Sequence, residues 1–188
     1  MTDYFWFESL KQSIRRNKRF RENRYFQIST IGLDSSPANR TVVFRGFTKD
    51  SDSIKVITDS RSKKLEEIKV NASCEICWYF SVTREQFRIR AKAEIFDQPC
   101  SNERHGTWSE LSESAKEQFF WTAPGRPIES TVYESKPDLV VEDGVPETFV
   151  LLELQPTAVD HLQLKGSPQT RILSSVNSGV WVSSAVHP

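Results

Sequence analysis

Apolar residues recur along this chain with two different periods, and the change between them divides it. Over residues 3–22, Trp6, Leu10 and Ile14 fall at i, i+4 and i+8, the spacing of an amphipathic helix, with Asp3 placed to cap it. From Tyr25 the pattern alternates. Segments near 25–31, 40–47, 53–58, 74–82 and 86–96, rich in Val, Ile, Phe and Tyr, predict strands. One helix is expected at about 61–70 and another over 108–121, where Trp108, Leu111, Ala115 and Phe119 form an apolar stripe suited to core packing. Strands resume at about 148–154, 157–165, 170–175 and 179–185. Short strands in close succession with few helices fit an antiparallel barrel or sandwich better than alternating parallel units, so the fold class is mainly β with flanking helices. Residues 124–147 interrupt the pattern with Pro124, Pro127, Pro137, Pro146 and six acids, and read as a long loop. Such a loop serves either as the lid or wall of a site or as a surface excursion.

Composition narrows the class. A chain of 188 residues is expected to form one core and one domain, 1–188. No run approaches the roughly 18 apolar residues that a membrane-spanning helix requires. The 25 basic and 25 acidic side chains cancel, which argues against a general polyanion binder. The exception is local: Lys11, Arg15, Arg16, Lys18, Arg19, Arg21 and Arg24 face only Glu22, and read as a solvated helix face or a phosphate or RNA patch. No aromatic platform is interleaved there, so a nucleic-acid partner ranks last. Three cysteines form no closed disulfide set, and the N-terminus lacks a signal-like run, so the cytoplasm is the expected compartment. Cys74 and Cys77 make a lone CxxC on a predicted strand, where positions three apart face opposite ways, which disfavours a metal or redox pair.

The chain has no GxGxxG, Walker, HExxH or GxSxG signature. What remains are cationic and hydroxyl residues at strand ends: Arg40 and Arg45, then Thr58, Ser62, Lys63 and Lys64, then Gln86, Arg88 and Arg90. The second group is the most informative, because a strand ending near Ile57 runs into a helix whose first turn carries Ser62, Lys63 and Lys64. Cations at a helix N-terminus oppose the macrodipole, and a bound anion reverses that sign. Pairing of these lysines with Glu66 and Glu67 at i+3 or i+4 is the plain alternative. Arg40 and Arg45 are five apart, so a flat strand points them in opposite directions. A shared ligand needs a bulge there, or contributions from two sides of an interface.

Pro37-Ala38-Asn39-Arg40-Thr41-Val42-Val43-Phe44-Arg45-Gly46-Phe47, Thr58-Asp59-Ser60-Arg61-Ser62-Lys63-Lys64 and Glu85-Gln86-Phe87-Arg88-Ile89-Arg90-Ala91-Lys92 together resemble, in order and interval, the successive FMN-binding strands of the pyridoxamine 5'-phosphate oxidase family. Trp108-Ser109-Glu110-Leu111-Ser112, Gln118-Phe119-Phe120-Trp121-Thr122-Ala123-Pro124-Gly125 and Val159-Asp160-His161-Leu162-Gln163-Leu164 resemble an FMN-binding branch of it. The resemblance implies a split β-barrel that dimerises, with FMN in a groove between the subunits. It implies Arg40, Arg45, Thr58, Ser62, Lys63, Lys64 and Gln86 as cofactor-binding residues, with Arg171 as the remnant of a C-terminal motif. In that motif Leu162 stands near the family's Trp, and only Arg171 of its R-x-H-x-R is supplied. The Arg of the substrate-phosphate motif is replaced by Phe119-Phe120-Trp121-Thr122-Ala123-Pro124. Cofactor binding therefore carries over better than oxidation of pyridoxamine phosphate. The expectation is a homodimeric FMN-dependent oxidoreductase acting on a small molecule, with a non-catalytic flavin- or haem-binding module as the alternative.

Overall fold

The computed structural model describes residues 5–99, 101–127, 141–142 and 144–188, and there the alternating segments become antiparallel strands. Helix α1 (Trp6–Arg16) precedes strands β1 (Tyr25–Ile31), β2 (Pro37–Val43) and β3 (Ile54–Asp59), and helix α2 (Lys63–Val70) precedes β4 (Ser73–Phe80) and β5 (Glu85–Phe96). Two short helices, α3 (Asn102–Ser109) and α4 (Glu113–Glu117), are followed by the strand pair β6 (Val141–Glu142) and β7 (Val145–Pro146), then β8 (Phe149–Gln163), β9 (Thr170–Asn177) and β10 (Val180–Val186).

The strands pair in the order β2–β1–β4–β5–β8, and β3 pairs with the first part of β8. Backbone bonds from Arg45 N–H to the Lys55 carbonyl (3.0 Å) and from Lys55 N–H to the Gly46 carbonyl (2.9 Å) join the β2 end back to β3 and close a barrel. β8 lies along β5 throughout, but its other edge is divided: Ile54–Asp59 pair with Phe149–Leu154, while Thr170–Ser175 pair with Ala158–Gln163. This division is the split of the barrel, and β9 and β10 extend beyond it.

Four sequence expectations are corrected. The segments 148–154 and 157–165 are one strand of 15 residues, because Pro156, which lacks an N–H, sits opposite Ala91 where the register shifts between Arg90 and Ala91. The predicted strand 40–47 lies at 37–43 instead, and the chain turns at Gly46 with φ +115°, a conformation only glycine adopts without strain. The helix over 108–121 is broken into α3, α4 and a 3₁₀ turn at Gln118–Phe120. Ser109 Oγ donates to the Gly106 carbonyl at 2.7 Å, the local hydroxyl competition that ends helices. Its apolar stripe nevertheless packs as expected: Trp108, Leu111 and Phe119 form a small core with Phe149 on the outer face of the sheet. The first helix also stops short, at Arg16, with Asp3 outside the described residues. Asn17 ends it by donating to the Ser13 carbonyl (2.8 Å) and accepting the Val82 N–H (3.0 Å), which ties the helix to the β4–β5 hairpin.

The main core lies inside the barrel, with Phe26, Ile28, Ile76, Trp78, Phe87, Ile89, Leu152 and Leu154 sealed at one end by Trp6 and Leu10 of α1. Of the loop 124–147, residues 128–140 and 143 lie outside the described residues, and β6–β7 gives its end regular structure. Cys74 is buried and Cys77 is half-buried on the opposite face of β4, so the CxxC is no paired site. Among the described residues no helix is long and apolar enough to cross a membrane, and no cluster of His, Cys, Asp and Glu fit for a metal ion occurs.

Candidate functional site

Thr58 is the last inward residue of β3 and is 5% exposed. Its Oγ1 lies 3.0 Å from Ser62 Oγ and accepts a hydrogen bond from Lys64 Nζ at 2.8 Å. The turn between them is fixed by Asp59, whose carboxylate accepts from the Arg61 backbone N–H (2.8 Å), Nε (2.9 Å) and guanidinium (2.6 Å). Ser62 N-caps α2 without a side-chain capping bond, which leaves its hydroxyl with Thr58 at the positive end of the helix. Across β1, Arg40 points inward from β2. It donates to Thr30 Oγ1, to the Ala38 carbonyl (3.1 Å) and to Glu67 Oε2 (2.7 Å). Thr30 also donates to Glu67 Oε2, at 2.5 Å.

Burial, reinforced by the nearby Arg40 charge, holds the Lys64 ammonium below the usual lysine range, while Asp59 and Glu67 pull it back up. Lys64 makes no ion pair among the described residues. A desolvated ammonium hydrogen-bonded to a hydroxyl, beside a guanidinium and the N-terminus of a helix, is a donor set that suits a phosphate ester. Burial alone pushes the Glu67 carboxyl up, but hydrogen bonds from Thr30 and Arg40 and the charges of Arg40 and Lys64 outweigh it and hold it below the ordinary range.

Of the residues singled out in the sequence, Arg40, Thr58, Ser62 and Lys64 therefore gather at one place. Lys63 adjoins them but points to solvent. Arg45 does not join them: it sits beside Arg24 and Tyr25, where burial and the Arg24 charge lower its pKa, and its buried Nε has no hydrogen-bond partner among the described residues. Gln86 and Arg171 lie elsewhere again, on the outer face of the sheet, in one cross-strand row with Tyr79 and Leu162. Thr58 pairs with Val150 and Gln86 with Leu162, about 40 Å apart along β8 if it were fully extended. Arg171 is held by Asp160 through two bonds of 2.9 and 2.7 Å, and Arg88 lies 3.6 Å from the same carboxylate and 3.1 Å from Glu75.

The sequence reading missed Thr30 and Glu67. Neither stands in a motif. Glu67 invited pairing with the lysines of its own helix, yet it takes Arg40, because α2 packs on β1 and Glu67 reaches past Thr30 to the neighbouring strand. A second buried polar cluster escaped notice as well. Glu85 Oε2 accepts from Ser13 Oγ at 2.6 Å, its Oε1 lies 3.3 Å from His161 Nε2, and the His161 ring stacks on Phe87 with centroids 4.1 Å apart. Burial raises the Glu85 pKa, but hydrogen bonds from His161, Ser13 and Thr83 override it and bring it to about 2.

The divided barrel with this cluster at the start of α2 has the architecture of the FMN-binding split barrels. Residues 3–97 match the family model described as pyridoxamine 5'-phosphate oxidase, FMN-binding domain. The chain is 38% identical over 192 residues to pyridoxine/pyridoxamine 5'-phosphate oxidase 2 of Arabidopsis thaliana, an alignment covering 97% of this chain and 96% of the relative. It superposes with a TM-score of 0.88 and 38% identity on the crystal structure of a pyridoxamine 5'-phosphate oxidase-related, FMN binding protein from Nostoc punctiforme, covering 100% of both chains. PhzG from Burkholderia lata, solved with tetrahydrophenazine-1-carboxylic acid, shares the fold at a TM-score of 0.76 and 18% identity, over 96% of this chain and 91% of its own. The chain belongs to the pyridoxamine 5'-phosphate oxidase family, and its cofactor is FMN.

Proposed function

We propose that the protein is a homodimeric FMN-dependent oxidoreductase. Arg40, Thr58, Ser62 and Lys64 hold the phosphate of the flavin, and the convergence of these four side chains is the observation that carries the reading. Bound FMN supplies electron or hydride transfer, while the chain binds and orients it. Gln86 and Arg171 lie too far along the sheet, and on the wrong face, to reach a flavin anchored by the same chain. In the dimer they are offered to the flavin held by a second copy. The Gln86 amide can both donate and accept at a ring edge, and the Arg171 charge is oriented for that role by Asp160. Leu173, Val180, Val182 and Val186 are exposed by 39, 64, 54 and 37% on this outer face, an apolar surface suited to burial against another copy.

The substrate is a small molecule. Pyridoxamine 5'-phosphate is the first to test, because the Arabidopsis relative is named a pyridoxine/pyridoxamine 5'-phosphate oxidase, although Leu162 stands near the place of the family motif's Trp. The decisive measurement is anaerobic reduction of the bound flavin, followed by hydrogen peroxide release on readmission of air. Substrate-dependent bleaching of the flavin bands supports an oxidoreductase. Flavin that stays oxidised with pyridoxamine phosphate, related amines and nicotinamide donors alike favours a protein that only carries the cofactor.

A further inference from the structure

We propose that Glu67 is a positioning residue for the flavin phosphate: it fixes the plane of Arg40, so that the guanidinium's remaining N–H groups are presented beside Lys64. This inference rests on the phosphate site argued above. Glu67 is 7% exposed, comes from the second turn of α2, and reaches across β1 to β2. Its Oε2 accepts from both Arg40 (2.7 Å) and Thr30 (2.5 Å), while Thr30 also accepts from Arg40. These contacts, with the Ala38 carbonyl, engage both terminal nitrogens of the guanidinium and, among the described residues, leave Nε–H and one terminal N–H uncommitted. A guanidinium held in this way loses little rotational freedom when an anion arrives, and a misplaced one loses the fork geometry that phosphate recognition depends on. Formally, Arg40 and Lys64 minus Glu67 leave one positive charge facing a phosphate dianion. Glu67 is therefore not explained as a source of affinity by charge. Its contribution lies in reach.

Two substitutions separate reach from charge. Glu67→Asp keeps the carboxylate but withdraws it by one methylene from Arg40. Glu67→Gln removes the charge but keeps an acceptor oxygen at the same distance. Binding of FMN and of riboflavin to the full-length protein, freed of flavin and followed by flavin fluorescence, is the readout. Glu67→Asp is expected to weaken FMN about tenfold with riboflavin unchanged, while Glu67→Gln binds FMN within about threefold of the unaltered protein or more tightly. Equal FMN affinity in Glu67→Asp and the unaltered protein overturns the proposal. So does an FMN loss in Glu67→Gln as large as in Glu67→Asp, or a loss that riboflavin shares. Arg40→Met serves as the control for the underlying site. If it too leaves the FMN-to-riboflavin ratio unchanged, the phosphate assignment fails; if it lowers that ratio while Glu67→Asp does not, only the role of Glu67 fails.

Discussion

Lys63 and Lys64 are neighbours with identical side chains, yet one faces solvent and the other is desolvated against Thr58. Lys64→Ala is expected to weaken FMN by roughly ten- to a hundredfold without affecting riboflavin, and Lys63→Ala by less than about threefold, measured by fluorescence titration. Sequence placed both at the start of a helix but held no information on which one the barrel covers, since that depends on β3 delivering Thr58 inward. Glu85 shows the same limit. Alternation along β5 put its neighbours on the correct faces, while its bonds to Ser13 and His161 cross from distant segments. Its folded pKa of about 2 lies below the ordinary 4.5, so the stability it contributes is full above pH 4.5 and is lost as pH falls from there through 2. Thermal unfolding of Glu85→Gln should show a lower midpoint at pH 7 and a shallower decline between pH 5 and 2 than the unaltered protein.

Among elements, strands declared themselves best, because a barrel with one face on the core imposes strict alternation, visible in β3, β4 and β5. Pro156 and Gly46 misled in opposite ways: one was absorbed into a strand at a bulge, and the other ended a strand early. The terminal hairpin β9–β10 looked from sequence like one more pair of strands. β9 is laddered to β8, and β10 adds one packing contact of its own to the barrel end. Trp181 packs against Trp6 with ring centroids 5.2 Å apart, and it lies by Asp52, whose pKa burial raises, partly offset by a backbone hydrogen bond and by Trp181. Trp181→Ala should lower stability by about 2 kcal/mol in urea unfolding, since the ring is half-buried and leaves a cavity against α1. The hairpin should also become more susceptible to limited proteolysis.

For the whole molecule, alternation alone gave a barrel or sandwich, and the split barrel and its cofactor came through the resemblance of three segments, Pro37–Phe47, Thr58–Lys64 and Glu85–Lys92, to the family's FMN-binding strands. What the resemblance did not reveal is that these segments put Arg40, Thr58, Ser62 and Lys64 at the start of α2 and Gln86 on the outer face, with Arg45 apart from both. The dimer proposed to reunite them makes a direct prediction. Val182→Arg, on the exposed face of β10, should shift the protein to monomers in sedimentation velocity and lower its retained FMN, whereas a dimer that persists with full flavin content contradicts the arrangement. The family match ends at residue 97, before β8 begins at Phe149, although β8 supplies the partner of both β3 and β5. During synthesis, Ile54–Asp59 have only the short backbone pairing with Arg45–Phe47 until β8 emerges at Phe149, and closure is a late, non-local event. A ribosome stalled ahead of Phe149 should hold a nascent chain with two open sheet edges, a ready client for chaperones and a hazard for aggregation.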